Sequence, residues 1–206
     1  MTGCDCRGET ETKAQRKALG IALVLNAVMF LVELVGGILG QSSGLIADSL
    51  DMLADASAYA IALAAIGRSP RFKAGAAGLS GTLLLALGLG VLFDVGRRAL
   101  FGSTPDGGLI LGVAAVALAV NTVVLRLLLR HRDGEVHLRA AWIFTRADVL
   151  ANLGVMAGAV LVMVTGSRVP DLVVGLGIGL FVMREAREIL GEAREARPSR
   201  VVGSSP

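Results

Sequence analysis

Apolar residues fill this chain in long blocks, and polar residues fall mainly in the short gaps between them. A helix needs about 20 residues to cross the hydrocarbon core of a bilayer. Six blocks meet that length: 18–39, 45–66, 76–100, 109–129, 140–164 and 172–190. The gaps carry turn-forming residues, as in Gln41-Ser42-Ser43-Gly44, Gly67-Arg68-Ser69-Pro70, Gly102-Ser103-Thr104-Pro105 and Gly166-Ser167-Arg168. The pattern predicts an all-α membrane protein of six transmembrane helices. Residues 1–16 form a polar N-terminal tail, 17–190 a single six-span domain, and 191–206 a short C-terminal tail, with no soluble C-terminal domain expected. The first block lacks the short apolar core and small-residue cleavage site of a signal peptide, so it reads as a mature span.

Composition agrees. Of the 206 residues 54% are hydrophobic and 18% charged, against about a quarter charged in soluble domains. Disordered, disulfide-rich and nucleic-acid-binding classes are excluded. Glycine is abundant at 27 residues and aromatics make up only 4%, which suits helices packed closely in lipid. Gly36 and Gly40, and Gly154 and Gly158, have the small-xxx-small spacing. Gly175, Gly177 and Gly179 lie inside an apolar block and follow no strand, so they are not a nucleotide loop. Cys4 and Cys6 are too close in sequence to staple a fold and are read as having no essential role. His131 and His137 fall in the gap between the fourth and fifth blocks and read as solvated.

Lys and Arg placement sets the orientation. Arg7, Lys13, Arg16, Lys17, Arg68, Arg71, Lys73, Arg130, Arg132, Arg139, Arg194, Arg197 and Arg200 lie on one side, with Arg126, Arg184 and Arg187 near helix ends there. Arg97, Arg98 and Arg168 lie on the other. The rich side is cytoplasmic, so both termini face the cytoplasm, as in a bacterial inner-membrane protein.

Charges within a span are costly and mark functional sites by default. Glu33 lies in the first block, Asp48, Asp51 and Asp55 in the second, and Asp148 in the fifth. Asp48, Asp51 and Asp55 fall within about 60° of one helix face. The second span enters from outside and the fifth from the cytoplasm. Asp55 then lies about 15 Å in, and Asp148 and Asn152 about 12 and 18 Å in from the opposite side. The two groups meet near the midplane, where carboxylates with an amide oxygen offer an oxygen-rich cation site. The metal candidates are therefore Asp51, Asp55 and Asp148, with Asn152 and Asp48 beside them. Arg146 is the basic residue well inside a span and can snorkel. Asn26 and Glu33 share a stripe and suggest a structural or gating role. Asp94 and Asp171 read as interfacial.

The stretch NAVMFLVELVGGILGQSSGLIADSLDMLADA resembles the first two spans of the cation diffusion facilitators, proton-coupled exporters of Zn²⁺ and related ions. The family's second-span pair, His-x-x-x-Asp or Asp-x-x-x-Asp after an Ala-Asp, appears as Asp51-Met52-Leu53-Ala54-Asp55 after Ala47-Asp48. The fifth span, LRAAWIFTRADVLANLGVMAGAV, has Asp148 at the family's Asp position, and PDLVVG in the sixth is also similar. The resemblance covers about residues 17–190. It implies a homodimer and a metal site completed by the fifth span. Two departures stand out. Phe144 occupies the usual fifth-span His position, which shifts the expected preference towards harder ions such as Mn²⁺, Fe²⁺ or Co²⁺. The usual cytoplasmic domain after the sixth span is not expected.

The expectation is therefore a divalent transition-metal exporter, of the Zn²⁺ class or for Cd²⁺, Co²⁺, Fe²⁺ or Mn²⁺. Protons compete for its midplane carboxylates, the lipid bilayer surrounds it, and no cofactor, catalytic residue or nucleic acid takes part. Two rivals are an intramembrane aspartyl protease using Asp55 and Asp148 as its pair, and a non-transporting membrane metal sensor. Reporter fusions test the orientation: a reporter at Gly44 or Gly166 is expected outside the cytoplasm, and cytoplasmic signals at both sites overturn the assignment.

Overall fold

The computed structural model describes residues 5–64, 69–129 and 136–195. Among the described residues there are six helices and no strand. They are α1 (Asp5–Leu39), α2 (Ser43–Ala64), α3 (Pro70–Phe101), α4 (Gly107–Leu129), α5 (Val136–Thr165) and α6 (Val169–Glu195). Each apolar block corresponds to one helix, so the chain is an all-α membrane protein. Several helices run past the predicted spans into polar sequence. α1 begins within the N-terminal polar stretch and α6 continues to Glu195. Lys, Arg, Glu and Gln are good helix formers, so the edge of the apolar block does not end the helix.

The ends are set by local chemistry. Ser69 caps α3, its Oγ accepting from the Phe72 N–H at 3.4 Å, and Pro70 follows at the first helical position, where its missing N–H costs nothing. Gly102 ends α3 with φ 97° and Gly166 follows α5 with φ 64°. The α1–α2 turn is tight: Gln41 adopts φ 48°, and the Ser42 N–H donates to the Gly37 carbonyl at 2.9 Å.

Four helices contain segments long and apolar enough to cross a membrane, at 16–39, 74–101, 107–129 and 148–165. α2 and α6 miss that measure because of their charges, Asp48, Asp51 and Asp55 in one and Asp171, Arg184, Glu185 and Arg187 among those in the other. α2 is instead enclosed by protein. It packs against α1, α3, α5 and α6, while α3 pairs with α6, α4 with α5, and α1 also with α4.

Small residues permit these approaches. A Cβ on Gly36 or Gly40 would lie 3.0 Å from Val113 or 2.9 Å from Leu109, so this small-xxx-small face of α1 meets α4. Of the second pair, Gly158 meets Val174 of α6 and Gly154 faces open space. α3 meets α6 at Gly81, against Leu190 and Ile189, and at Gly88, against Met183. Gly175 of α6 lies against Ser43, where a Cβ would come within 2.7 Å of the backbone.

Asp171, expected near a helix end, has a specific structural use there. Its side chain is buried and receives hydrogen bonds from Ser42 Oγ at 2.5 Å and from the backbone N–H groups of Ser43 at 2.8 Å and Gly44 at 3.2 Å. A carboxylate on α6 thus caps the start of α2, where free N–H groups and the helix dipole favour negative charge. Asp94 pairs within its own helix: Arg97 donates to it at 2.8 Å, and Arg98 contacts it too. Asp171→Ala leaves the start of α2 without its acceptor and is expected to lower stability by about 2–3 kcal/mol, with a smaller loss for Asp171→Asn. Thermal unfolding in detergent measures both, and a wild-type midpoint for Asp171→Ala shows that the cap does not hold α2 in place.

Candidate metal site

The acidic stripe of α2 faces the interior of the bundle. Asp48, Asp51 and Asp55 are 0%, 3% and 8% exposed. Across from them on α5, Asp148 and Asn152 are equally enclosed. The side chains of Asp55 and Asp148 meet within hydrogen-bonding reach, and Asp51 also reaches Asp148. The structure therefore brings together Asp51, Asp55 and Asp148 from α2 and α5. Tyr59, one turn beyond Asp55, donates its hydroxyl to Asp55 Oδ2 at 2.9 Å. The Asn152 amide donates to the Asp148 carbonyl at 2.9 Å, which leaves Asn152 Oδ1 without a partner beside the cluster.

Asp48 lies one turn nearer the N-terminal end of α2 and faces a second acidic group, Glu33 of α1. Glu33 is fully buried, and among the described residues neither its two oxygens nor those of Asp48 have a hydrogen-bond partner. Asn26, on the same stripe of α1, donates to the Ala22 carbonyl at 2.9 Å. Met29, Met52 and Ala117 form an apolar layer between Asn26 and Glu33.

Buried polar atoms normally find partners. Here the unpartnered oxygens also include Asp51 Oδ2 and Asp148 Oδ2. Such a concentration of acceptors matches a cation or protons, since carboxylates pressed together cannot all stay charged without one or the other. Among the described residues, no three His, Cys, Asp or Glu side chains are gathered closely enough to enclose a metal ion as they stand. The cluster is a loose gathering of oxygen donors.

Sequence reasoning missed one member. Glu185 of α6, between the helix-end residues Arg184 and Arg187, carries no assignment from the sequence, yet its side chain is half-buried and reaches Asp51. A signal for it does exist in the sequence. Arg184 pairs with Glu188 at 2.9 Å, and the neighbours of Glu185 one turn either way are the apolar Phe181 and Ile189. The side chains of Phe144, Arg146 and His137, residue His131, and the Cys4 and Cys6 thiols lie outside the described residues.

Asp55 and Asp148 face each other as a proteolytic pair would, but Asp51 and Glu185 stand in the same cluster and a two-carboxylate mechanism leaves them unexplained.

Comparison with known proteins agrees with the chemistry. A profile of the cation efflux transmembrane domain matches residues 19–196. The metal cation efflux system protein CzcD of Cupriavidus metallidurans is 30% identical over 179 residues, covering 81% of this chain and 57% of its own length. The zinc transporter ZitB of Escherichia coli is 27% identical, with 84% of this chain and 59% of the relative covered. A cadmium, cobalt and zinc/H(+)-K(+) antiporter of Bacillus velezensis is 23% identical, with 85% and 61% covered. The chain thus spans about three-fifths of the length of these relatives. With its buried carboxylates on the second and fifth helices and the profile match across nearly its whole length, the chain belongs to the cation efflux family of membrane transporters, the cation diffusion facilitators.

Proposed function

We propose that this chain exports divalent transition-metal ions from the cytoplasm and that Asp51, Asp55 and Asp148 bind the ion near the membrane midplane. The observation that carries this reading is the meeting of carboxylates from α2 and α5 in a buried cluster with unpartnered oxygens. The printed names of the relatives point the same way, to metal cation efflux, to zinc and to cadmium, cobalt and zinc.

Each carboxylate has one job in this scheme. Asp51 and Asp55, one helical turn apart, present two oxygen donors along α2, and Asp148 closes on them from α5. The Asn152 amide oxygen is a neutral donor at the edge. Tyr59 holds Asp55 in orientation. Metal binds the ionised carboxylates and protons bind the same atoms, so the two exclude each other. When the site faces outward, protons entering from outside displace the metal. When it faces the cytoplasm, metal displaces protons. That exclusion is the antiport. Both termini face the cytoplasm, the membrane is the bacterial inner membrane, and two copies pair through their spans.

Asp51→Ala, Asp55→Ala and Asp148→Ala are each expected to reduce metal flux into proteoliposomes by about 100-fold or more, since even partners of metal ligands cost about 10–100-fold in affinity when removed. The variants remain folded, because each substitution removes the uncompensated buried group itself. Near-normal flux in any one removes that residue from the ion's coordination. Full metal binding without flux in the wild-type chain points instead to a sensor.

A further inference from the structure

α2 and α6 run side by side in the same direction, and two contacts fix their register. Near the outer end, Gly175 lies against the Ser43 backbone. Deeper in, Ala186 packs with Ala54. From one contact to the other each helix advances by three turns, about 16 Å, so the two stay in step. Glu185 is therefore level with Leu53, between Asp51 and Asp55. Helical side chains lean towards the N-terminus of their own helix, which turns this carboxylate outward along α6 and towards Asp51, and the two meet there.

The rest of this turn of α6 disposes of its charges differently. Arg184 and Glu188 pair with each other on the exposed face, and Arg187 is exposed. Glu185 has no basic partner among the described residues and turns towards carboxylates, which is unfavourable unless a cation or protons stand between them. An independent observation points the same way. Asp148 Oδ2 and Asn152 Oδ1, on side chains 2% and 0% exposed, have no partner among the described residues and border the same cluster.

We infer that Glu185 is a fourth carboxylate ligand of the transported ion, so that the ion is held by three helices, α2, α5 and α6. This rests on the metal-export reading given above and extends it. With Asp51, Asp55, Asp148 and the Asn152 amide, the donor set is wholly oxygen. Oxygen donors suit hard divalent ions, and the absence of imidazole and thiolate from the set removes the usual advantage of Zn²⁺. Ions of the Mn²⁺ kind are the class this site takes. Small rotations of the four side chains close the gathering around the ion. Because α6 is also the partner of α3, the ion then ties the α3–α6 pair to the helices that carry the other ligands.

Binding of Mn²⁺ alone to the purified full chain in detergent, followed by the electron paramagnetic resonance signal of free Mn²⁺, tests this. Glu185→Gln keeps the shape and removes the charge, and is expected to weaken Mn²⁺ binding by about tenfold or more, while Glu188→Gln on the exposed face leaves it unchanged. Wild-type affinity in Glu185→Gln, with binding lost in Asp51→Ala, overturns the role of Glu185 and leaves the site on α2 and α5 standing. Wild-type affinity in both overturns the whole site. A direct signature is available in a chain carrying Cys4→Ser, Cys6→Ser and Glu185→Cys. Bound Co²⁺ is expected to give a thiolate-to-cobalt charge-transfer band, which only a sulfur on the ion produces. Co²⁺ binding without that band overturns the assignment.

Discussion

Three carboxylates on one stripe of a membrane helix cannot face lipid, and the arrangement of the bundle follows from that constraint. Charge at the bilayer centre costs several kcal/mol, so α2 has to be covered by protein. It is the helix with the most neighbours, flanked by α1, α3, α5 and α6. The lipid-facing surface falls to its partners, whose exposed side chains are Val, Leu, Ile and Phe, as at Val24, Leu31, Leu79, Phe93 and Val164. Glycine makes the enclosure possible. With side chains at Gly37 and Gly175, α1 and α6 could not approach the start of α2 so closely.

The same constraint explains how polar groups are distributed along the axis of the bundle. At one end Asp171 is fully used, accepting three hydrogen bonds that join α6 to the start of α2. Deeper in, the pattern reverses. Glu33, Asp48, Asp51 and Asp148 all keep oxygens without protein partners. Satisfied acceptors belong to the scaffold, and unsatisfied ones mark where protons or a cation must enter the balance. A buried carboxylate therefore cannot be assigned a role from burial alone. Asp171 and Asp51 are both 3% exposed, and it is their partners that separate them.

Much of this was legible in the sequence, for identifiable reasons. The six helices follow from the length of the apolar blocks. The meeting of Asp55 with Asp148 follows from helical rise counted from opposite faces of the membrane. The helix ends were less legible, because the charged residues that mark the membrane boundary are themselves good helix formers. Asp171 and Ser43 are joined by a contact across 128 residues of sequence, which no local pattern encodes. Glu185 was hidden for a subtler reason. Its neighbours Arg184, Arg187 and Glu188 give the segment the look of a solvated helix end, which masks the apolar Phe181 and Ile189 on either side, and the register between α2 and α6 shows that one face of that turn points inward.

The charge on α2 also bears on how the chain enters the membrane. A single Asp at the centre of an inserting helix costs about 2.5–3.5 kcal/mol on the insertion scale, and α2 carries Asp48, Asp51 and Asp55. Released alone into lipid, it would be a poor membrane helix. Its tight turn with α1 supplies the remedy. α1 contains one of the most hydrophobic segments of the chain, and the two helices are joined by only three residues and packed along their length. Entry as a hairpin would let the apolar arm carry the acidic one and would partly shelter the carboxylates before α5 and α6 have been synthesised. The acidic stripe of the finished protein thus sets a condition on the order of its assembly.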